Sequence, residues 1–579
     1  MGKLTFEEIG ITDEASRRGT KRKSFLLFFS FTFCFLIINF LFAKHLVAQQ
    51  ELKDFKYWAN LCDLLRNEKK YTEALAACDQ ALAMKPKEAI VWTNRIDALL
   101  KLKKYPEALA SADSVLRLKS KYSLAWAARC RALSELGRQE EAIASCDKAL
   151  QENKDWGESS PALAWYNRGL AQARLGEYQE AIASYDHAVE INPTYSLALV
   201  ERCQALSSMK QYSEALVACD KALEGDGNWE DATPAYGWDS RGRVLRKLGQ
   251  YQDALVSFNK AAALDPSNAT IWTHHGEVLQ LLGKYPEALT SHEWALKINP
   301  KYSLALANQS ATLNRVGSYE KALASCDSAI QGDGNWGDEN PALAWTQRGS
   351  ALAGLKRYEE ALASGDRAIA LKPDYAEAWN NRSVTLWFMG RHHDALASSD
   401  RAVEINPLYS QAWSNRGRIL QTLKQDLEAV VAYDRAINSY GNLSDNRPLA
   451  DIWANRSVVL WRLQRYGEAL ASTQQAIDIN PGSFQAWYNR GIILLALQRY
   501  EQAVTAYDEA IRINPNDANL LTAKGFALIK VKKLQEAIAT FEQALKIDPS
   551  NSVAQRNRDT VMQQLQQDSQ QPPKPDVKQ

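Results

Sequence analysis

A single spacing constrains this chain more than any other feature. A tryptophan or leucine recurs at positions 58, 92, 126, 165, 199, 238, 272, 306, 345, 379, 413, 453, 487 and 521, and nine of the thirteen intervals are 34 residues, three are 39 and one is 40. One unit, Phe484–Asp517, shows what is being repeated. With Phe484 as slot 1, Trp487, Gly491 and Leu494 follow spacings of four and three, one face of a helix. Ala503, Tyr507, Ala510 and Ile511 form a second such face, which Pro515 closes. Gln498, Arg499 and Tyr500 must turn the chain between them, because each face is buried only if the helices fold back on one another. One hairpin cannot bury its own apolar face, so the repeats must stack.

The slots resemble those of the tetratricopeptide repeat: Trp487 in slot 4, Gly491 in slot 8, Tyr500 in slot 17, Ala503 in slot 20, Ala510 in slot 27 and Pro515 in slot 32. The resemblance implies an all-α, right-handed superhelical solenoid of about 14 helix-turn-helix repeats, with the first helices lining a concave wall. Slot 6 on that wall holds Asn60, Asn94, Asn167, Asn308, Asn381, Asn415, Asn455 and Asn489. A side-chain amide both donates and accepts, so such a ladder could hold the backbone of a bound peptide whatever its sequence. The alternative is that asparagine is simply common in this slot. The wall also changes character along the chain. Slots 9, 12 and 13 are polar early (Asp63, Arg66, Asp97, Arg131) and later include Trp387, Phe388, Trp461, Ile492 and Phe526. A Trp outside slot 4 is the better binding candidate, because slot 4 is already explained by the fold.

Other slots read as packing. Slots 8 and 24 trade volume, Gly against an aromatic at Gly169/Tyr185, Gly242/Phe258 and Gly491/Tyr507, as close packing across the hairpin requires. Seven of the eight cysteines fall in these two slots, and three repeats fill both: Cys62/Cys78, Cys130/Cys146 and Cys203/Cys219. Each pair could close a disulfide or remain two buried thiols that fit. Cys326 faces Ser310 and has no cysteine partner. Slots 7 and 25 carry an Arg and an Asp in eight repeats, for example Arg168/Asp186 and Arg382/Asp400, a structural ion-pair ladder in which each exposed pair contributes about 0–1 kcal/mol.

The ends are assigned by composition. Residues 1–23 are basic and read as a cytoplasmic segment. Residues 24–43 read as a transmembrane anchor, because Phe25 to Ala43 lacks ionisable side chains apart from Cys34 and would rise about 28 Å as a helix. The basic cluster precedes the apolar run, which implies a single-pass membrane protein with its N-terminus cytoplasmic and its repeats across the membrane. Removal as a signal peptide is the alternative. Residues 44–54 form a linker, 55–551 the solenoid, 552–567 a capping helix and 568–579 a disordered tail.

Function classes are narrowed by what the pattern lacks. A net charge of +1 with no cationic excess argues against a nucleic-acid partner. No Ser/His/Asp, HExxH, phosphate-loop or CxxC arrangement occurs, so no catalytic residues, cofactor or small-molecule substrate are expected. His274–His275 and His392–His393 are adjacent residues on helices, which diverge, so no metal is expected there. The inserts after repeats 3, 5, 8 and 11 share one connection and should project from one edge. Asp226, Asn228 and Glu230 alternate as cation ligands would, but the following insert has Gly337 in place of the third, and wider loops with tucked tryptophans are preferred. The reading is a membrane-anchored, non-enzymatic scaffold that binds protein or peptide segments mainly through repeats 10–14. The rival is a spacer or assembly component of an envelope biosynthesis or secretion machine.

Overall fold

A computed structural model describes residues 54–157, 159–229, 233–337, 339–441 and 447–570. Those residues form 29 α-helices, and fourteen helical hairpins follow one another before a final helix, Ser552–Gln570. Alanine in slots 20 and 27 lets the two helices of a hairpin approach closely, and those side chains are fully buried (Ala108, Ala181, Ala288, Ala503, Ala510). Every hairpin turns through a residue with positive φ in slot 15. Six of these are glycines, from Gly137 to Gly390, and eight are Lys or Gln, such as Lys69 and Gln498. The left-handed residue ends the first helix and reverses the chain within a few residues.

Within each of two compact units, the second helix of a repeat packs on its own first helix and on the first helix of the next. The slot 4 indole ties this junction: Nε1 donates to the slot 32 proline carbonyl six residues earlier in Trp92–Pro86, Trp272–Pro266, Trp379–Pro373, Trp413–Pro407 and Trp487–Pro481, at 2.8 to 3.0 Å. The volume trade between slots 8 and 24 is steric: a Cβ on Gly169, Gly242, Gly417 or Gly525 would lie 2.5 to 2.8 Å from the ring of Tyr185, Phe258, Tyr433 or Phe541. The chain divides into two compact units, Met1–Asp231 and Ala232–Gln579, so repeats 1–5 lie in the first and repeats 6–14 in the second. In the first unit, disulfides join Cys62–Cys78, Cys130–Cys146 and Cys203–Cys219, with Cα atoms 5.0, 5.3 and 5.3 Å apart.

The expectation of a transmembrane helix, and with it of a single-pass membrane protein held at a membrane, is corrected here. No helix among the described residues is long and apolar enough to cross a membrane. The described helices run from 12 to 19 residues, the longest being the polar Ser552–Gln570, and the hairpin helices alternate buried alanines with charged outer residues. The segment 24–43 lies outside the described residues, as do residues 571–579 of the expected tail, whereas 568–570 belong to the last helix.

Three of the four inserts fold back rather than project. Asp226 and Asp333 place their carboxylates against the start of the first helix of their own repeats, Ser196–Ser208 and Ser303–Arg315. Asp333 accepts from the backbone N–H of Ser303 (3.1 Å) and Asn335 (2.9 Å) and from the Asn299 amide (2.7 Å); Asp226 does the same with Ser196, Asn228 and Asn192. Ser303 and Ser196 return the contact by accepting the N–H of Gly334 and Gly227. In the insert after repeat 3, Ser123 exchanges hydrogen bonds with the Lys154 backbone. Burial works against the Asp333 charge, but these donors outweigh it and hold its pKa below the usual carboxylate range. The Asp226 and Asp333 carboxylates are therefore backbone caps, Glu230 lies outside the described residues, and no cluster of metal-ligating side chains occurs among the described residues.

Candidate protein-binding wall

The ion-pair ladder runs between repeats, not within them. Arg95 binds Asp79, Arg129 binds Asp113, Arg348 binds Asp327, Arg382 binds Asp366 and Arg456 binds Asp434, in each case the aspartate of the preceding repeat, at 2.7 to 2.9 Å. The other arm of the same guanidinium bonds a serine in slot 23 of its own second helix, as in Arg129–Ser145 (2.6 Å), Arg382–Ser398 (2.7 Å) and Arg456–Ser472 (2.7 Å). Its face lies over the slot 4 indole, 5.5 to 5.9 Å away in Arg129/Trp126, Arg382/Trp379 and Arg456/Trp453. Within each unit the second helix of one repeat faces the first helix of the next, so slot 25 meets the following slot 7. Where slot 25 is Asn259, the following slot 7 is His275, bonded to Asn259 and Ser291 at 2.9 Å each. Burial pushes His275 down to about 4, so the pair is neutral on both sides.

The slot 6 asparagines are mostly engaged between repeats. Asn381 donates to Ser350 (2.8 Å), Asn415 to Asn380 (2.9 Å) and Asn489 to the Ala454 carbonyl (2.9 Å), each on the preceding first helix. Asn167 is buried and reaches the Ala127 carbonyl at 3.4 Å, leaving its Oδ1 without a partner among the described residues. Asn308 is buried with its Nδ2 unpartnered, and Asn455 is half-buried. Outward-facing amides are therefore few, and the ladder mainly staples first helix to first helix.

The aromatic candidates fall into separate places. Trp387 and Phe388 are in edge contact, centroids 5.0 Å apart. The Trp387 Nε1 donates to Thr422 (3.1 Å) and the Arg418 guanidinium lies 4.8 Å over its ring, so repeat 11 holds this indole in place. Phe388 is 52% exposed and stacks on Tyr358 of the preceding repeat, with centroids 5.6 Å apart and planes 9° off parallel. Trp461 packs, partly buried, against the core around Leu420 and Val459. Ile492 is half-buried, and Phe526 is 43% exposed with Lys530 Nζ 5.3 Å from its ring. Trp387, Phe388 and Phe526 thus expose apolar surface with polar side chains at the margin.

A concavity that the sequence did not announce lies in the first unit. A cavity of about 500 Å³ is lined by first-helix residues Arg66, Ile96, Leu124 and Asn167 and by the insert residues Ser160 and Asn228. The signal for the inserts was present all along: slot 1 is serine at Ser123, Ser196, Ser303 and Ser410, the four repeats that carry an insert, and Ala or Phe elsewhere.

Models described as tetratricopeptide repeat match residues 59–159, 162–195, 342–407 and 432–552, and one described as TPR repeat matches 242–283, together more than half of the chain. The gaps take in most of repeats 5 and 8, where slot 4 is Leu199 or Leu306. Among solved structures, a chain of the APC/C hetero-tetramer Cut9–Hcn1 aligns with a TM-score of 0.53 at 15% identity, over 89% of this chain and 98% of that one. YrrB, described as a TPR protein with an unusual peptide-binding site, aligns at 19% identity over 34% of this chain and 97% of that one, with a TM-score of 0.29. No curated protein matches the sequence.

Proposed function

Because the chain belongs to the tetratricopeptide-repeat family, we propose that it is a protein–protein interaction scaffold, without catalysis of its own, that captures protein segments along the first helices of repeats 10–14. The observation that carries this reading is the aromatic group at the repeat 9–11 junction. Phe388 stays half-exposed while stacked on Tyr358, and Trp387 is fixed between Thr422 and Arg418. An aromatic held rigid before binding loses little freedom on contact, which is what a hot spot requires. Phe526 exposes a separate apolar surface at repeat 14.

The test compares partners retained by the immobilised full-length chain with those retained by the Trp387→Ala/Trp461→Ala variant. Loss of two aromatic anchors should weaken retention by on the order of 2–4 kcal/mol. Unchanged affinity with an unchanged circular dichroism spectrum would remove the wall from consideration.

A further inference from the structure

The charges at the hairpin turns are organised in quartets, and one quartet is incomplete. In repeat 3, Arg138 of slot 16 binds Glu141 of slot 19 (2.7 Å), Glu141 feels the field of Arg129, and Arg129 binds Asp113 of the preceding repeat (2.9 Å). Repeat 9 repeats this with Arg357, Glu360, Arg348 and Asp327, and repeat 12 with Arg465, Glu468, Arg456 and Asp434. Each quartet carries two positive and two negative groups and is neutral. In repeat 13 both arginines remain, as Arg499 and Arg490, but both acids are replaced by amides, Gln502 in slot 19 and Gln474 in slot 25 of the preceding repeat. The slot 23 serine is replaced as well, by Ala506.

The consequence is visible at Arg490. Every other slot 7 arginine has its serine, its aspartate or both, but Arg490 Nη1 is buried without a hydrogen-bond partner among the described residues. Burial and the nearby Arg499 charge both disfavour its protonated form, and the only opposing influence is Asp478. Asp478 is itself held by the Gln474 amide at 2.7 Å. The four other arginines of slot 16, Arg138, Arg357, Arg391 and Arg465, each bind a carboxylate three residues on. Arg499 has no such residue to bind. The Arg499 charge therefore acts on Arg490 where the three quartets above supply two carboxylates, and a buried unpaired cationic donor is costly unless anionic oxygen arrives from outside.

We propose that Arg490 and Arg499 form a binding site for an oxyanion, a carboxylate or phosphate group, at the junction of repeats 12 and 13. A guanidinium pair presents forked donors that match the two or three oxygens of either group. Arg490 occupies slot 7 of its first helix and Arg499 precedes the second helix, whereas the wall is argued from slots 6, 9, 12 and 13, so loss of the anion response would leave the reading of the wall standing.

The experiment follows hydrogen exchange of peptides covering residues 484–503 in the full-length chain, in sodium phosphate, acetate or chloride at equal ionic strength. Protection should rise at least severalfold in phosphate or acetate over chloride. A rise in phosphate alone assigns the site to phosphoryl groups, and a rise in acetate assigns it to carboxylates. The Gln474→Asp/Gln502→Glu variant restores acids that neighbouring repeats already carry. It should show the higher protection in chloride and no further gain from either anion, while Arg490→Gln should lose the response. Equal protection of the wild type in all three salts, or an unaltered anion response in the Gln474→Asp/Gln502→Glu variant, would overturn the proposal.

Discussion

At the scale of single residues, the least comfortable side chain among the described residues is His292. It fills slot 24 against Gly276, where a Cβ would lie 2.5 Å from its ring, and it is fully buried with neither ring nitrogen hydrogen-bonded. Burial, reinforced by His275, pushes its pKa down to about 3 from an ordinary value of 6.5. The unfolded chain therefore takes up a proton below about pH 6.5 and the folded chain does not until about pH 3. The stability this neutral ring supports is fully present above pH 6.5 and is lost as pH falls, at up to about 1.4 kcal/mol per pH unit. His275, pushed to about 4, adds a second loss over the upper part of the same window. The His292→Phe variant copies the Gly242/Phe258 pair of the preceding repeat. It should be more stable by about 1–3 kcal/mol at pH 7.5, because it removes an unpaired buried donor. Its urea midpoint should fall about half as far as that of the wild type between pH 7.5 and 5.0. Equal falls would show that His292 does not carry the pH dependence.

At the scale of elements, the inserts test how tightly an irregular segment can be specified. A Cβ on Gly332 would lie 2.5 Å from Ser303 Oγ and 2.6 Å from the Lys301 carbonyl, whereas one on Gly441 would meet nothing within 4 Å. Gly332→Ala should cost about 1–3 kcal/mol because the backbone carbonyl cannot move aside, and Gly441→Ala should stay within about 0.5 kcal/mol. Chemical denaturation of the two variants beside the wild type measures the difference, and similar midpoints would refute the close approach. The hairpins themselves were legible because slot 4 is tryptophan or leucine and slot 20 alanine in all fourteen repeats, and slot 27 is alanine in thirteen. Partners across the repeat boundary were not. Arg168 reads equally well with Asp186 of its own repeat as with Asp147 of the one before, and only the packing of second helix on next first helix selects Asp147. The asparagine positions were likewise visible, while their engagement by the preceding helix was not, since the Ala454 and Ala127 carbonyls that hold Asn489 and Asn167 leave no trace in side-chain identity.

At the scale of the whole molecule, the cysteines set the two units apart. All three disulfides lie in repeats 1, 3 and 5 of the unit Met1–Asp231, while the described part of the unit Ala232–Gln579 holds only Cys326. Cys326 donates to Ser310 at 3.0 Å, and burial pushes its thiol up to about 12, so it is a poor nucleophile and a poor partner for exchange. Each disulfide closes a loop with a sequence separation of 16. A loop of that length reduces the entropy of the unfolded chain enough to contribute roughly 3 kcal/mol. A solenoid unfolds by segments because each repeat touches only its neighbours, so that contribution should remain local. Reduction should therefore raise hydrogen exchange across repeats 1–5 by more than tenfold and leave repeats 9–14 unchanged. Peptide mapping after alkylation of the unreduced, unfolded protein should label Cys326 and spare the six paired cysteines. Labelling of all seven would show three pairs of buried thiols instead, and exchange that rises equally in both units on reduction would show that the cross-links do not act locally.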